Sequence, residues 1–276
     1  MPKIDVHQHL WPEQFISALS RRDAPPRLQG SRLELVDGQY DVDLEAHQLE
    51  RRIALLDHDG IDVACVCLQP TLGADDEPDL LEAYHEGILE LVASSGGRLR
   101  ALAYNERREG FVGACVTAQQ VLNGVGDLAA DLRHAGQFLF VHPGIPAHTD
   151  PRRPPWWGVV VDYATQMEAA FLAWVTGGGH DVPVVFAILA GGGPVQLERL
   201  ASRDATVSVP ENVYLDTSSY GRHALELCIG ALGQEHLVYG SDEPLIDSRP
   251  TLRALTDLGD AVAEAVCETN PARLFR

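Results

Sequence analysis

Short apolar runs alternate along this chain with polar or Gly/Pro breaks and with stretches whose apolar residues fall at helical spacing. Ile4-Asp5-Val6-His7 is the first predicted strand. Over 43–58, Leu44, Leu49, Ile53 and Leu56 sit among charges and predict a helix that ends at Gly60. A strand over 61–68 follows and is broken by Pro70. Residues 79–94 place Leu81, Tyr84, Ile88, Leu91 and Val92 on one helical side. Segments 98–104 and 111–116 read as the third and fourth strands, and a helix around 117–134 leads to a fifth at 137–141. Residues 162–175 predict a helix. Segments 182–189, 212–216 and 236–239 predict strands six to eight, and the tail after Arg249 is helical.

Eight apolar strands alternating with helices predict an α/β chain, a distorted (β/α)8 TIM barrel forming a single domain over 1–276. An open doubly wound sheet has the same local rhythm, so periodicity alone leaves it standing. Two long irregular insertions are expected, at about 11–42 and 143–158. Loops of that length in a compact domain are commonly functional. In the second, Trp156 and Trp157 predict a packed lid or the cover of a satellite core.

Composition narrows the choice. With 45% hydrophobic and 22% charged residues, the chain is that of a folded globular protein. Its net charge of −19 argues against nucleic acid and anionic membranes as partners, because both are negative. No apolar run reaches the roughly 18 residues of a spanning helix. Met1-Pro2-Lys3-Ile4-Asp5 lacks a cationic segment followed by an apolar run, so no signal peptide is expected. Cys65, Cys67, Cys115, Cys228 and Cys267 are an odd, scattered set and read as reduced, buried thiols of a cytoplasmic protein. Lys3 is the only lysine, which excludes a Schiff base elsewhere and a bridging carboxylated lysine.

The candidate chemistry lies at predicted strand ends. His7 and His9 are two apart, so on a strand they project to the same side and can share a divalent ion. His142 closes the apolar run Phe138-Leu139-Phe140-Val141, where a buried imidazole needs partners. Asp242 follows Leu237-Val238-Tyr239-Gly240-Ser241; a helix N-cap or turn role is the alternative for it. In a barrel these four share the rim at the C-terminal strand ends, where catalytic residues gather. Three imidazoles and a carboxylate suit one divalent ion, which would lower the pKa of a bound water. Asp242 then becomes the candidate proton carrier. Further candidates are His223, Tyr220 and Arg222 after strand seven, and Arg152 and Arg153 as a carboxylate clamp, with a solvated pair as the alternative. There is no Gly-x-Ser-x-Gly elbow. Gly191-Gly192-Gly193 lacks the residues of a P-loop or dinucleotide fingerprint and reads as a tight turn.

Ile-Asp-Val-His-Gln-His-Leu-Trp-Pro at residues 4–12 resembles the opening of the amidohydrolase superfamily, in its amidohydrolase-related branch of sugar lactonases and aminocarboxymuconate-semialdehyde decarboxylases. His142-Pro143, Gly191-Gly192-Gly193-Pro194 with Glu198-Arg199-Leu200, Asp216-Thr217-Ser218, Gly240-Ser241-Asp242-Glu243-Pro244 and Asn270-Pro271-Ala272-Arg273-Leu274-Phe275 extend the likeness in family order. The resemblance implies the distorted barrel, one zinc-like ion, and His7, His9, His142 and Asp242 as its ligands. It also implies a possible homodimer.

One position departs from that pattern. The family commonly carries a histidine at the end of strand six, and counting back from Pro194 puts Ile188 there. His180 lies eight residues upstream, about 26 Å along an extended strand, and is expected at the opposite mouth. The loss argues against the branch's decarboxylases. The sequence therefore favours a mononuclear metal-dependent hydrolase of an amide, ester or lactone in a small polar molecule, with catalytic Asp242 and His223, and Arg152, Trp156 and Tyr220 toward the substrate. The alternatives are a non-oxidative decarboxylase or hydratase, and a non-catalytic ligand-binding relative.

Overall fold

The computed structural model describes residues 1–146, 152–154, 156–177, 181–203, 205 and 207–275. Eight strands run parallel in the order of the chain: β1 (Ile4–His9), β5 (Val63–Cys67), β6 (Leu99–Tyr104), β7 (Gly113–Thr117), β8 (Phe138–His142), β9 (Val184–Phe186), β10 (Val213–Asp216) and β11 (Leu237–Val238). All residues of β1, β7, β8, β9, β10 and β11 are buried, as expected of parallel strands covered on both sides. Helices α2 (Leu49–Asp59), α3 (Pro78–Ser94), α4 (Ala118–Asn123), α5 (Gly126–His134), α6 (Tyr163–Thr176), α7 (Gly193–Ala201) and α8 (Arg222–Leu232) connect the strands. Helices α9 (Arg249–Leu258) and α10 (Asp260–Glu264) follow β11.

The ring closes between β1 and β11. Val6 N–H donates to the Tyr239 carbonyl at 2.9 Å, His9 N–H to that of Glu243 at 2.7 Å, and Asp242 N–H to that of His7 at 2.8 Å. Gln8 and Glu243 form an isolated parallel bridge. These contacts make the (β/α)8 barrel and remove the open-sheet alternative.

Several expectations are corrected. The insertion at 11–42 is not irregular: it holds α1 (Glu13–Ser20) and an antiparallel sheet of β2 (Arg27–Gln29), β3 (Arg32–Leu35) and β4 (Gly38–Asp41). Leu28 faces Leu33 across the β2–β3 pair, and both are buried. Runs of three or four residues are too short to show a period, which is why the sequence hid them. The helix expected at 117–134 is two helices. Thr117 and Gln120 form a capping box at the head of α4, and the chain breaks at Gly124. Strand six stops at Phe186 rather than running to 189. Ile188 to Gly192 then turn through left-handed backbone, with φ of 47°, 49°, 51°, 62° and 88°. For a β-branched isoleucine that conformation is strained, and the Asp216 carboxylate holds it by accepting the Ile188 N–H at 3.0 Å.

In the second insertion, 147–151 and 155 lie outside the described residues, as does His180. Trp157 lies under the Arg153 guanidinium, 4.1 Å from the ring centre, but Trp156 is 54% exposed and so is not part of a packed lid.

Candidate metal centre

His7 and His9 sit at the C-terminal end of β1, but a regular strand does not place them. Pairing with β5 runs Asp5 to Ala64 and then Gln8 to Val66, so β1 carries one extra residue. The Asp5 carboxylate creates this bulge by accepting the His7 N–H at 3.0 Å. The two Nε2 atoms end 3.1 Å apart. His142 arrives from the end of β8, its ring centre 5.1 Å from that of His7 and 5.3 Å from that of His9. Asp242, in left-handed backbone after β11, brings Oδ1 to 2.9 Å from His9 Nε2 and 3.5 Å from His7 Nε2. One ligand atom from each of the four lies within 4.8 Å of the others.

The hydrogen bonds around the rings decide what this group can do. His7 Nδ1 is 2.7 Å from Asp216 Oδ2, His9 Nδ1 is 3.0 Å from the Cys67 carbonyl, and His142 Nδ1 is 2.8 Å from the Pro143 carbonyl. Each partner is an acceptor, so each Nδ1 carries the hydrogen and each neutral Nε2 presents a lone pair. With the rings neutral, as metal binding requires, three lone pairs and a carboxylate oxygen converge with no hydrogen between them. Asp242 Oδ1 is buried with no hydrogen bond of good geometry. Four facing acceptors repel unless a cation joins them. Nδ1 bonded outward and Nε2 aimed inward is the arrangement of histidines that hold a metal.

Titration tells the same story. Burial pushes His7 down, but Asp216, Asp242 and Asp5 outweigh it and raise its pKa to about 9. Burial also lowers His9, while Cys67 and Asp242 raise it to a net value of about 9. Burial, with the charges of His7 and His9, drives His142 down. Burial raises Asp242, but the close approach of His9 Nε2 and the positive charges of the surrounding histidines leave it lowered. Without a metal, the site gathers protons in place of a cation.

The chain matches the family model described as Amidohydrolase over residues 4–276. It is a member of the amidohydrolase family. A search of curated proteins finds no match. Among solved structures, an IDCase from Metarhizium anisopliae is 19% identical with a TM-score of 0.79, over 100% of this chain and 97% of that one. A 2,6-dihydroxybenzoate decarboxylase from Rhizobium is 18% identical with a TM-score of 0.72, over 100% and 98%. A 5-carboxyvanillate decarboxylase from Novosphingobium aromaticivorans, with bound manganese and 3-methoxy-4-hydroxy-5-nitrobenzoic acid, is 16% identical with a TM-score of 0.72, over 99% and 97%. These likenesses establish the shared barrel.

The remaining candidates of this amidohydrolase are placed unevenly. His223 is corrected: its side chain is 95% exposed and turns to Glu226 on its own helix, so it does not join the buried group. Arg222 likewise pairs with Glu226, at 2.8 Å. Tyr220 is half-buried. Burial first, then Cys228 and Asp216, raise its phenol. Arg152 is exposed and Arg153 half-buried over Trp157. The structure adds Asp216, which the sequence showed only as a strand-end motif. Its Oδ2 fixes His7, while Oδ1 accepts from the N–H groups of Ile188 and Ser218 and from the Ser218 hydroxyl at 2.6 Å. No helix among the described residues is long and apolar enough to cross a membrane.

Proposed function

We propose that this chain is a metal-dependent lyase that removes carbon dioxide, without oxidation, from a small hydroxy-substituted aromatic or unsaturated carboxylic acid. The observation that carries the reading is the convergence of three histidine lone pairs and the Asp242 carboxylate at one mouth of the barrel. The decarboxylases that share this barrel support the lyase class over the hydrolase that the sequence favoured. His7, His9, His142 and Asp242 would hold one divalent ion. Manganese is bound in two of those neighbours, and zinc suits the same nitrogen and oxygen donors. When bound, the ion supplies positive charge that anchors the substrate's oxygens and draws electron density from the bond to be broken.

In the reaction the carbon–carbon bond to the carboxylate breaks and its electron pair stays on the substrate carbon. Carbon dioxide leaves, and one proton must reach that carbon. Asp242 is the group we assign to bring it. Its side chain is 13% exposed, whereas those of His7 and His9 are 1% and 0%. A carboxylate is ionised at neutral pH, so it can collect a proton from the substrate hydroxyl or solvent and pass it on. Ile188 offers no proton at the strand-six position, which leaves that task to Asp242. Tyr220, Arg152 and Trp156 are the side chains we assign to the substrate side.

The test is a panel of hydroxybenzoates and muconate-type acids, given to protein loaded with manganese or zinc, with carbon dioxide as the readout. Release that stops on chelation and in Asp242→Ala supports the reading. Opening of lactones, esters or amides with no carbon dioxide would return the chain to the hydrolases. If His7→Ala and Asp242→Ala leave every detected activity unchanged, the site is not catalytic.

A further inference from the structure

Arg52, on α2, is among the largest fully buried side chains of the protein, 1% exposed. Desolvating a guanidinium costs several kcal/mol unless its hydrogen bonds are recovered. None of the described carboxylates contacts it directly. Its Nε has no hydrogen-bond partner among the described residues, and its two terminal nitrogens donate to the barrel seam and to the turn before α2 instead. Nη1 donates to Gln8 Oε1 at 2.6 Å and to the Glu243 carbonyl at 3.4 Å. Nη2 donates to the His9 carbonyl at 3.0 Å and to the Ala46 carbonyl at 3.3 Å. Gln8 passes the grip on, its Nε2 donating to Asp5 Oδ2 at 2.7 Å. Asp5 Oδ1 then accepts the N–H groups of His7 and Ser241, at 3.0 and 3.1 Å. One side chain thus holds β1 at His9 and, through Gln8 and Asp5, at His7. On the other side of the seam it holds the backbone on both flanks of Asp242, at Ser241 and Glu243.

We propose that Arg52 is a positioning residue that sets the distance between the His7/His9 pair and Asp242, and thereby the affinity of the metal site; the inference rests on the reading of those residues as metal ligands. The seam needs such a clamp, because between Gln8 and Glu243 it has a single isolated bridge in place of a ladder. The role is geometric and opposes electrostatics. A buried cation beside a cation site repels the incoming ion, so if charge alone mattered, removing Arg52 would tighten binding. A guanidinium does not give up its proton in a protein, so this charge is present at neutral pH.

The sign of the effect therefore decides. Dissociation constants for Mn2+ and Zn2+ alone are measured on the full chain by competition with a chromogenic chelator, beside the melting temperature. The proteins are the wild type, Arg52→Met, Arg52→Lys and Leu102→Ala. The last opens a cavity at a buried position on β6, away from the seam. Positioning predicts binding weaker by about 10–100-fold in Arg52→Met. Lysine should recover part of this, since one ammonium cannot bridge both strands as the guanidinium fork does. Leu102→Ala should lower the melting temperature and leave the affinity alone. If Arg52→Met does not fold, Arg52→Lys carries the test. Unchanged or tighter binding in the folded Arg52 variants overturns the inference while the metal reading stands. An equal loss of affinity in Leu102→Ala also overturns it, by making affinity follow stability. A wild type that takes up neither ion overturns the metal reading, and the inference falls with it.

Discussion

The seam between β1 and β11 and the wall between β7 and β8, diametrically opposite in the strand order, are built on different physics. The wall is a regular parallel ladder in which Gly113 to Thr117 pair residue by residue with Phe138 to His142. It is apolar and offers only His142 to the site. The seam has a bulge, an isolated bridge and a chain of buried polar groups from Arg52 through Gln8 and Asp5 to His7 and Ser241. It offers His7, His9 and Asp242. Regular pairing fixes side chains at the spacing of the pleat. Three ligand atoms brought within a few ångströms from two strands need a place where the pleat is broken and another network dictates position.

Two glycines turn this comparison into an experiment. At Gly113 a Cβ would stand 2.2 Å from the Phe138 carbonyl oxygen, and backbone in a ladder cannot yield. Gly113→Ala should cost more than about 3 kcal/mol in urea unfolding, with normal metal uptake in whatever folds. At Gly240 a Cβ would meet the Cβ atoms of Asp216 and His7, both at 2.9 Å. Gly240→Ala should cost less stability, about 1–3 kcal/mol, but weaken metal binding by about 10–100-fold because it displaces a ligand and the carboxylate that orients it. A Gly240 variant that binds metal like wild type would show that the seam does not govern the site.

The same division explains what could be read from the sequence. Wall and core elements carry their signal in apolar runs, so most strands were placed within two residues or so of where they lie. His7, His9, His142 and Asp242 stood out because polar residues that end apolar runs are costly unless partnered, and the structure brings them together. Arg52 was also visible in principle: a charge at the helical spacing of Leu49, Ile53 and Leu56 belongs to the buried face of α2. What escaped depends on contacts between distant segments. The carboxylate of Asp216 reaches His7 across 209 positions, and no local pattern announces it. Strand six is shorter than its apolar run for the same reason, since Asp216 from β10 captures the Ile188 N–H and turns the chain away.

Each half of the barrel also hides a neutral histidine outside the metal group, and acid should expose both. His85, behind β6, is 2% exposed and accepts the Tyr104 N–H at Nε2; burial, then Arg108, lowers its pKa to about 4. His47, beside the seam, stacks on Trp11 and accepts its backbone N–H; burial, then Arg52 and His9, lowers it to about 3. An unfolded histidine takes a proton near pH 6.5 that these folded ones refuse. The unfolded state then binds more protons, so stability falls as pH drops from about 6.5 toward 4. For His85 the loss should reach about 1–2 kcal/mol. His85→Gln, which can still accept the Tyr104 N–H, should flatten that slope. Equal slopes for variant and wild type in denaturant titrations at pH 6.5 and 4.5 would remove His85 from the account.

The smallest effect belongs to His223. The sequence made it a candidate acid or base because it lies just beyond strand seven, where the chain turns from Tyr220 into α8. Its neighbour in that turn, Tyr220, is half-buried, but His223 sits in the first turn of the helix and is 95% exposed, with Glu226 for its partner. A group wholly in water has no fixed position relative to a reacting atom, and general acid–base transfer needs contact at hydrogen-bond distance. His223→Ala should therefore leave the melting temperature, the metal dissociation constant and the rate of any decarboxylation unchanged within measurement. A tenfold fall in kcat with KM unmoved would mean that α8 brings His223 inward once substrate is bound. The seam would then have to share its proton chemistry with the strand beside it.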